Sequence, residues 1–192
     1  KTDADSSVTI YKAPIVTKGF WQVQDVDYDE IFSLLAMLKS VRIMLAIATF
    51  YETWQMDVKT AFLNEYLKEE LYMMQLEGFV DPKSANKVCK LQWSIYELVQ
   101  ASRSWNIRFD ELIKAYGFIW TFGETCIYKK VSGSSIAFLK LYVDDILLIG
   151  NDIEFLDSIK GYLNKSFSKK DLGEAAYTLS IKIYRDRLWR LI

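Results

Sequence analysis

The stretch IAFLKLYVDDILLIGND (136–152) holds two adjacent aspartates, Asp144 and Asp145, between two apolar runs. Charged side chains are rarely buried without a partner. Neighbouring carboxylates also repel, so at least one resists ionisation unless a cation is close. The plain reading is a β-turn. Aspartate tolerates turn conformations, but two-residue hairpin turns favour glycine, and Asp-Asp is a poor choice for one. Carboxylates projected from a rigid hairpin suit a hard divalent cation, which usually takes one or two protein carboxylates together with substrate phosphates. A third acid, Asp57, closes another apolar run in QMDVKTAF (55–62). Carboxylates from two neighbouring strand ends can hold two cations roughly 4 Å apart, the arrangement that clamps an in-line phosphoryl displacement. One ion then activates an attacking hydroxyl and the other neutralises the leaving pyrophosphate.

Composition narrows the alternatives. The chain has no histidine, which excludes His-dependent triads and His-ligated zinc. Cys89 and Cys126 give neither metal-ligand spacing nor a disulfide framework, and a reducing compartment is expected. Half of the 192 residues are hydrophobic, enough for a sizeable core. The net charge of −1 shows no basic excess of the kind nucleic-acid binders carry. KGYLNKSFSKK (160–170) and KIYRDRLWR (182–190) read equally as local basic patches or as solvated faces. The longest apolar stretches fall short of the 18 or so residues of a membrane span, and no membrane association is expected. The polar opening KTDADSSVTIYKAP reads as a fragment boundary rather than a signal peptide.

The carboxylates need elements to position them. TWQMDV (53–58) reads as a strand running into Asp57, and DILLIG (145–150) as one leaving Asp145. The hairpin Ile136–Ile149 is expected to turn at Asp144–Asp145. TCIYKKVSGSSIAFLKLYV (125–143) reads as a hairpin turning at SGSS, and AAYTLSIKIYRDRLWRLI (175–192) as another turning at Arg185–Asp186. EELYMMQ (69–75), KVCKLQW (87–93) and the Pro14-containing IYKAPIVTKGF (10–20) are strand-like. Apolar periodicity predicts helices from about Ser33 to Tyr51, over 101–117 with Gly117 at the C-cap, and over 152–167 with Asn151 or Asp152 as cap. Strands and helices mix without a regular βα repeat, which favours α+β.

Taken in order, YKAPIVTKGFWQ, QMDVKTAFLN, EGFVDP, SIYELVQASRSW, YVDD and KDLGEAAYTLSIKI resemble the reverse transcriptase of Ty1/copia-type retrotransposons, over nearly the whole chain. YVDD alone would be a weak signal, but several motifs in order are a strong one. The resemblance implies a right-hand polymerase of fingers and palm with the thumb absent, the palm an antiparallel sheet backed by helices. Residues 10–50 and 65–100 would be mainly fingers, and 51–64 and 101–192 mainly palm. It implies RNA-directed DNA polymerase activity, with Asp57, Asp144 and Asp145 as ligands of two Mg²⁺ ions, or Mn²⁺ in their place. Phe62 would be a steric gate against a 2′-hydroxyl, though it also reads as a core aromatic. Tyr142 would lie near the primer end, and Gln100 and Arg103 near nucleotide and template. Lys12 and Lys18 would meet triphosphate or template, or are ordinary surface lysines. Leu179, Ser180 and Ile181 match the primer-grip region. Implied partners are an RNA template, a DNA primer, deoxynucleotides, and the RNase H and integrase regions of a polyprotein. The implied location is a cytoplasmic virus-like particle, or the nucleus.

The departures matter too. Pro14 stands where the family usually has Arg, which removes a five-donor cation. Glu97 and Ser180 stand where it has Gly, and Leu34 where it has Pro. Glu97 adds bulk and negative charge where glycine would allow close backbone approach. These changes motivate an alternative: a decayed relic retained as a non-catalytic binding or structural module.

Overall fold

The computed structural model describes residues 15–29, 37–63, 67, 69–121, 124–178, 181–186, 188, 189 and 191. In chain order these form α1 (Leu38–Ala48), β1 (Glu52–Val58), β2 (Tyr72–Met74), β3 (Val88–Lys90), α2 (Ala101–Ala115), β4 (Ile119–Thr121), β5 (Glu124–Ser132), β6 (Ser135–Tyr142), β7 (Asp145–Gly150), α3 (Ile153–Ser166), β8 (Lys169–Gly173), β9 (Tyr177–Thr178) and β10 (Ile181–Lys182). Short 3₁₀ turns stand at Gly19–Trp21 and Ala61–Leu63. The chain divides into two compact units, Lys1–Phe32 with Phe62–Ser104 and Ser33–Ala61 with Trp105–Ile192.

The second unit is built on a six-stranded antiparallel sheet in the order β4-β5-β6-β7-β1-β8. β7 is buried along almost its whole length, which explains its unbroken DILLIG run. One face carries Tyr128, Leu139, Leu141, Ile146, Leu148 and Met56, all 0 % exposed. Helices cover that face. Phe109 of α2 meets Tyr128 with ring centroids 6.0 Å apart, and Lys160 of α3 lies 4.2 Å over the ring of Trp54, which shares the face with Met56. Tyr116, just past the end of α2, stacks on Tyr162 of α3 at 4.0 Å. The expected α+β class, an antiparallel sheet backed by helices, is therefore what forms.

Helix ends follow local chemistry. Gly117, at φ +89°, closes α2 as Gly117 N–H donates to Lys114 O (2.8 Å) and Phe118 N–H to Ile113 O (3.1 Å). Asp152 caps α3 by accepting the Phe155 N–H at 3.1 Å.

In the first unit, β2 and β3 pair as a hairpin, and Val16 makes an isolated parallel bridge to Tyr96. Its core gathers Leu71, Leu98 and Ala101, with Phe62, Leu67, Leu91 and Ile95 packed against them.

Several expectations need correction. The hairpin between β6 and β7 turns at Val143–Asp144, because Tyr142 pairs with Asp145, and Asp145 is already the first residue of a strand. The C-terminal hairpin reverses between Thr178 and Ile181, not at Arg185–Asp186. Asp186 instead accepts the N–H groups of Leu188 and Trp189 in a separate turn. The first helix runs Leu38–Ala48 rather than from Ser33 to Tyr51, with 30–36 outside the described residues. Of the expected strand 10–20, the described part shows only the Val16 bridge and a 3₁₀ turn. The edge strands β4 and β8 were not anticipated.

Candidate active site

Register sets Asp57 opposite Asp145. Across the sheet, Tyr142 pairs with Asp145, Asp145 with Asp57, and Asp57 with Lys170. Paired residues share a face, so these side chains form one row on the face opposite α2 and α3. Asp144 sits beside the row in the turn.

The turn is strained and braced. Val143 has φ +56°, a left-handed conformation exceptional for a β-branched residue. Positive φ at the first central residue alone is the pattern of a type II′ turn, where glycine is favoured. Such strain persists only when the surroundings over-determine it. Here Trp105 of α2, fully buried among Phe109 and Phe167, donates its indole N–H to the Val143 carbonyl at 2.7 Å. Val58 of β1 donates its N–H to the Asp144 carbonyl at 2.8 Å. Helix and strand thus fix both turn residues from two directions.

The electrostatics fit a cation site. Burial pushes the carboxyls of Asp144 and Asp145 above the usual carboxylate range, and the charge of Asp57 adds to both shifts. Asp145 also raises Asp144. Gln55 opposes the shift at Asp145 by donating from Nε2 to its Oδ1 at 3.4 Å. Hard oxygen donors that are costly to ionise together suit a divalent cation such as Mg²⁺. Among the described residues, however, no three His, Cys, Asp or Glu side chains stand close enough to form a ready-made metal cage.

The other candidates fall as follows. Tyr142 is half-buried beside Asp145. Phe62 packs on the apolar cluster of the first unit, with Tyr96 edge-on to its ring at 6.0 Å. Gln100 is buried: its Oε1 accepts from Gln22 Nε2 at 3.0 Å, and its Nε2 donates to the Asp27 carbonyl at 3.2 Å. It ties down the distant 22–27 segment, so its amide is engaged within the protein. Arg103 is half-buried in the first turn of α2. Lys18 is exposed, with its ammonium 4.4 Å over the Trp21 ring. Lys12, Pro14, Leu34, Leu179 and Ser180 lie outside the described residues. Glu97 is exposed at φ +68°, and its carbonyl oxygen would stand 1.8 Å from a Cβ added at Gly19. Glycine is thus required at position 19, and the backbone at 97 has the conformation glycine favours.

Sequence reasoning missed Trp105, Gln55 and Lys170 as neighbours of the site. SRSW did mark Trp105 as part of a motif, but its contact with Val143 spans 38 residues.

Comparison with known proteins agrees with the motif order. The profile described as "Reverse transcriptase (RNA-dependent DNA polymerase)" matches residues 1–188. The chain belongs to this reverse transcriptase family. It is 44% identical over 193 residues to the retrovirus-related Pol polyprotein from transposon TNT 1-94 of Nicotiana tabacum, covering 99% of this chain and 14% of that protein. It is 38% identical over 188 residues to the corresponding polyprotein from transposon RE1 of Arabidopsis thaliana, covering 96% and 13%. The putative transposon Ty5-1 protein YCL074W of Saccharomyces cerevisiae is 34% identical over 130 residues, or 68% of this chain and 42% of that one. The resemblance to Ty1/copia-type reverse transcriptases is therefore borne out, and the chain corresponds to a small part of the polyproteins it matches. No solved structure matches. No helix among the described residues is long and apolar enough to cross a membrane.

Proposed function

We propose that the second unit is the palm of an RNA-directed DNA polymerase and that Asp57, Asp144 and Asp145 are its catalytic carboxylates. The observation that carries this reading is the register setting Asp57 opposite Asp145, beside a braced turn holding Asp144. These three residues would hold Mg²⁺, or Mn²⁺ in its place, which when bound would activate a primer 3′-hydroxyl and neutralise the leaving pyrophosphate. The chain's own part is to hold the carboxylates rigidly at a sheet end, so that little reorganisation is needed when substrate arrives. Lys170, exposed and paired with Asp57, is suited to a phosphate of the nucleotide or primer. The first unit would be fingers, with Phe62 excluding a 2′-hydroxyl and Gln100, Arg103 and Lys12 near nucleotide and template. RNA template, DNA primer and deoxynucleotides are the substrates in this reading. RNase H and integrase would lie elsewhere in a polyprotein, which would work in a cytoplasmic virus-like particle or the nucleus.

A second reading, a non-catalytic relic, draws on Glu97 in a glycine conformation and on the unclosed carboxylate cage. Primer extension on an RNA template separates the two. Asp144→Asn should lower the rate by at least about 10²–10³-fold. Equal rates in wild type and variant would mean the carboxylates are misassigned, and no extension by the wild type would favour the relic.

A further inference from the structure

Lys140 is 1 % exposed and is among the largest fully buried side chains. A buried ammonium is costly unless charge or polar groups compensate it. Its neighbours Leu139 and Leu141 face the helices, so Lys140 faces the other side of the sheet, the side of Asp57 and Asp145. Its direct cross-strand partners, Ile127 and Leu147, are apolar and offer no compensation. One step along the same face stands the Tyr142–Asp145 pair. Lys140 is therefore diagonal to Asp145, a relation that puts side-chain origins roughly 7–8 Å apart, within reach of a lysine. The ammonium lies 5.7 Å from the centroid of the ring of Tyr142, the residue paired with Asp145. Burial pushes the Lys140 ammonium below its ordinary range and the Asp145 carboxyl above its own; Cys126 and Asp145 oppose the shift at Lys140, and Lys140 opposes the shift at Asp145.

We propose that Lys140 is a built-in counter-charge of the carboxylate set: it compensates Asp145 when no metal is bound and opposes the entry of a divalent cation. The inference rests on the reading of Asp57, Asp144 and Asp145 as the metal-binding residues. Part of the field that a cation would neutralise is neutralised already, from within the sheet. Because the ammonium is buried, salt screens its effect weakly. Such a residue sets how much metal the site needs, without touching substrate.

The test is Mn²⁺ binding to the whole chain at pH 8, with free ion followed by electron paramagnetic resonance, in wild type, Lys140→Met and Asp145→Asn. Removing the fixed positive charge should tighten Mn²⁺ binding roughly three- to tenfold, and Asp145→Asn should weaken it. Lys140→Gln should act in the same direction as Lys140→Met, which covers poor folding of either variant. Lys140→Met should also raise the melting temperature of the metal-free chain. A higher melting temperature with unchanged Mn²⁺ affinity would overturn the proposal and leave Lys140 a matter of packing alone. Equal binding by wild type and Asp145→Asn would instead overturn the carboxylate site itself, and the proposal with it.

Discussion

Val143 and Glu97 are two of the four described non-glycine residues with left-handed backbones, and they lie in different units. Their settings differ. Val143 sits in a two-residue turn between long strands, with its own carbonyl held by a buried indole and the next carbonyl by a strand N–H. Glu97 sits in a stretch without regular secondary structure, where its carbonyl lies against Gly19. At Val143 the surroundings impose the strain and gain a fixed Asp144. At Glu97 the turn is also held, because Thr17 donates to the Tyr96 carbonyl and Leu98 N–H to the Ile95 carbonyl, but the strained residue's own side chain is exposed. Strain that is braced on several sides is the kind expected at a working site. Strain at a residue whose side chain is exposed is a candidate for simple relief by glycine.

The contrast can be broken or sharpened experimentally. Trp105→Ala should have the largest effect, about 3–5 kcal/mol by chemical denaturation, because it empties a fully buried aromatic position. Trp105→Phe is the sharper variant. It keeps a ring but removes the donor to Val143, and should cost about 1–2 kcal/mol. It should also lower Mn²⁺ affinity, and an unchanged affinity would show that the brace does not control the carboxylates. Glu97→Gly should stabilise the chain by up to about 1 kcal/mol by relieving the left-handed backbone, and on the fingers reading it should also tighten nucleotide or template binding. Val143→Gly tests the other side of the comparison. It should relieve a similar strain but loosen the turn, so stability and Mn²⁺ affinity should move in opposite directions. If both rise together, the bracing has no functional content.

The smallest effect concerns pH. The folded-state pKa values of Asp144 and Asp145 are raised, so ionising them costs the metal-free chain stability. Stability is fully present below the ordinary value of 3.8 and is lost as pH rises through the higher folded values. Asp145→Asn should therefore stabilise the metal-free chain at pH 7 by under about 1 kcal/mol, given solvent screening of partly exposed carboxylates. That gain should vanish on acidification through the carboxylate range, as read from melting curves across pH.

How much of this was legible in the sequence depends on where each signal resides. The central meander, α2 and α3 were readable because each rests on local patterning: apolar runs, a glycine C-cap, an aspartate N-cap. β8 was not, because an edge strand needs to bury little, and KKDLG is polar like a helix tail. The one-residue shift of the turn was also invisible, since Asp-Asp looks more turn-like than Val-Asp. The register that pairs Tyr142 with Asp145 decides it. Lys140 lay in plain view in FLKLYV, but only the register shows that it shares a face with the acids.

The strand order has one more consequence. β5, β6 and β7 are consecutive hairpins and can form from local contacts, whereas β1 must return from far along the chain: Gln55 and Asp145 are 90 residues apart. Closing a loop of that length is entropically slow, and contacts of high sequence separation form late. Asp57 reaches its place only in that closure. During folding the Asp144–Asp145 turn would thus exist before its third acid, and assembly of the acidic row would itself report that the chain has reached its native topology.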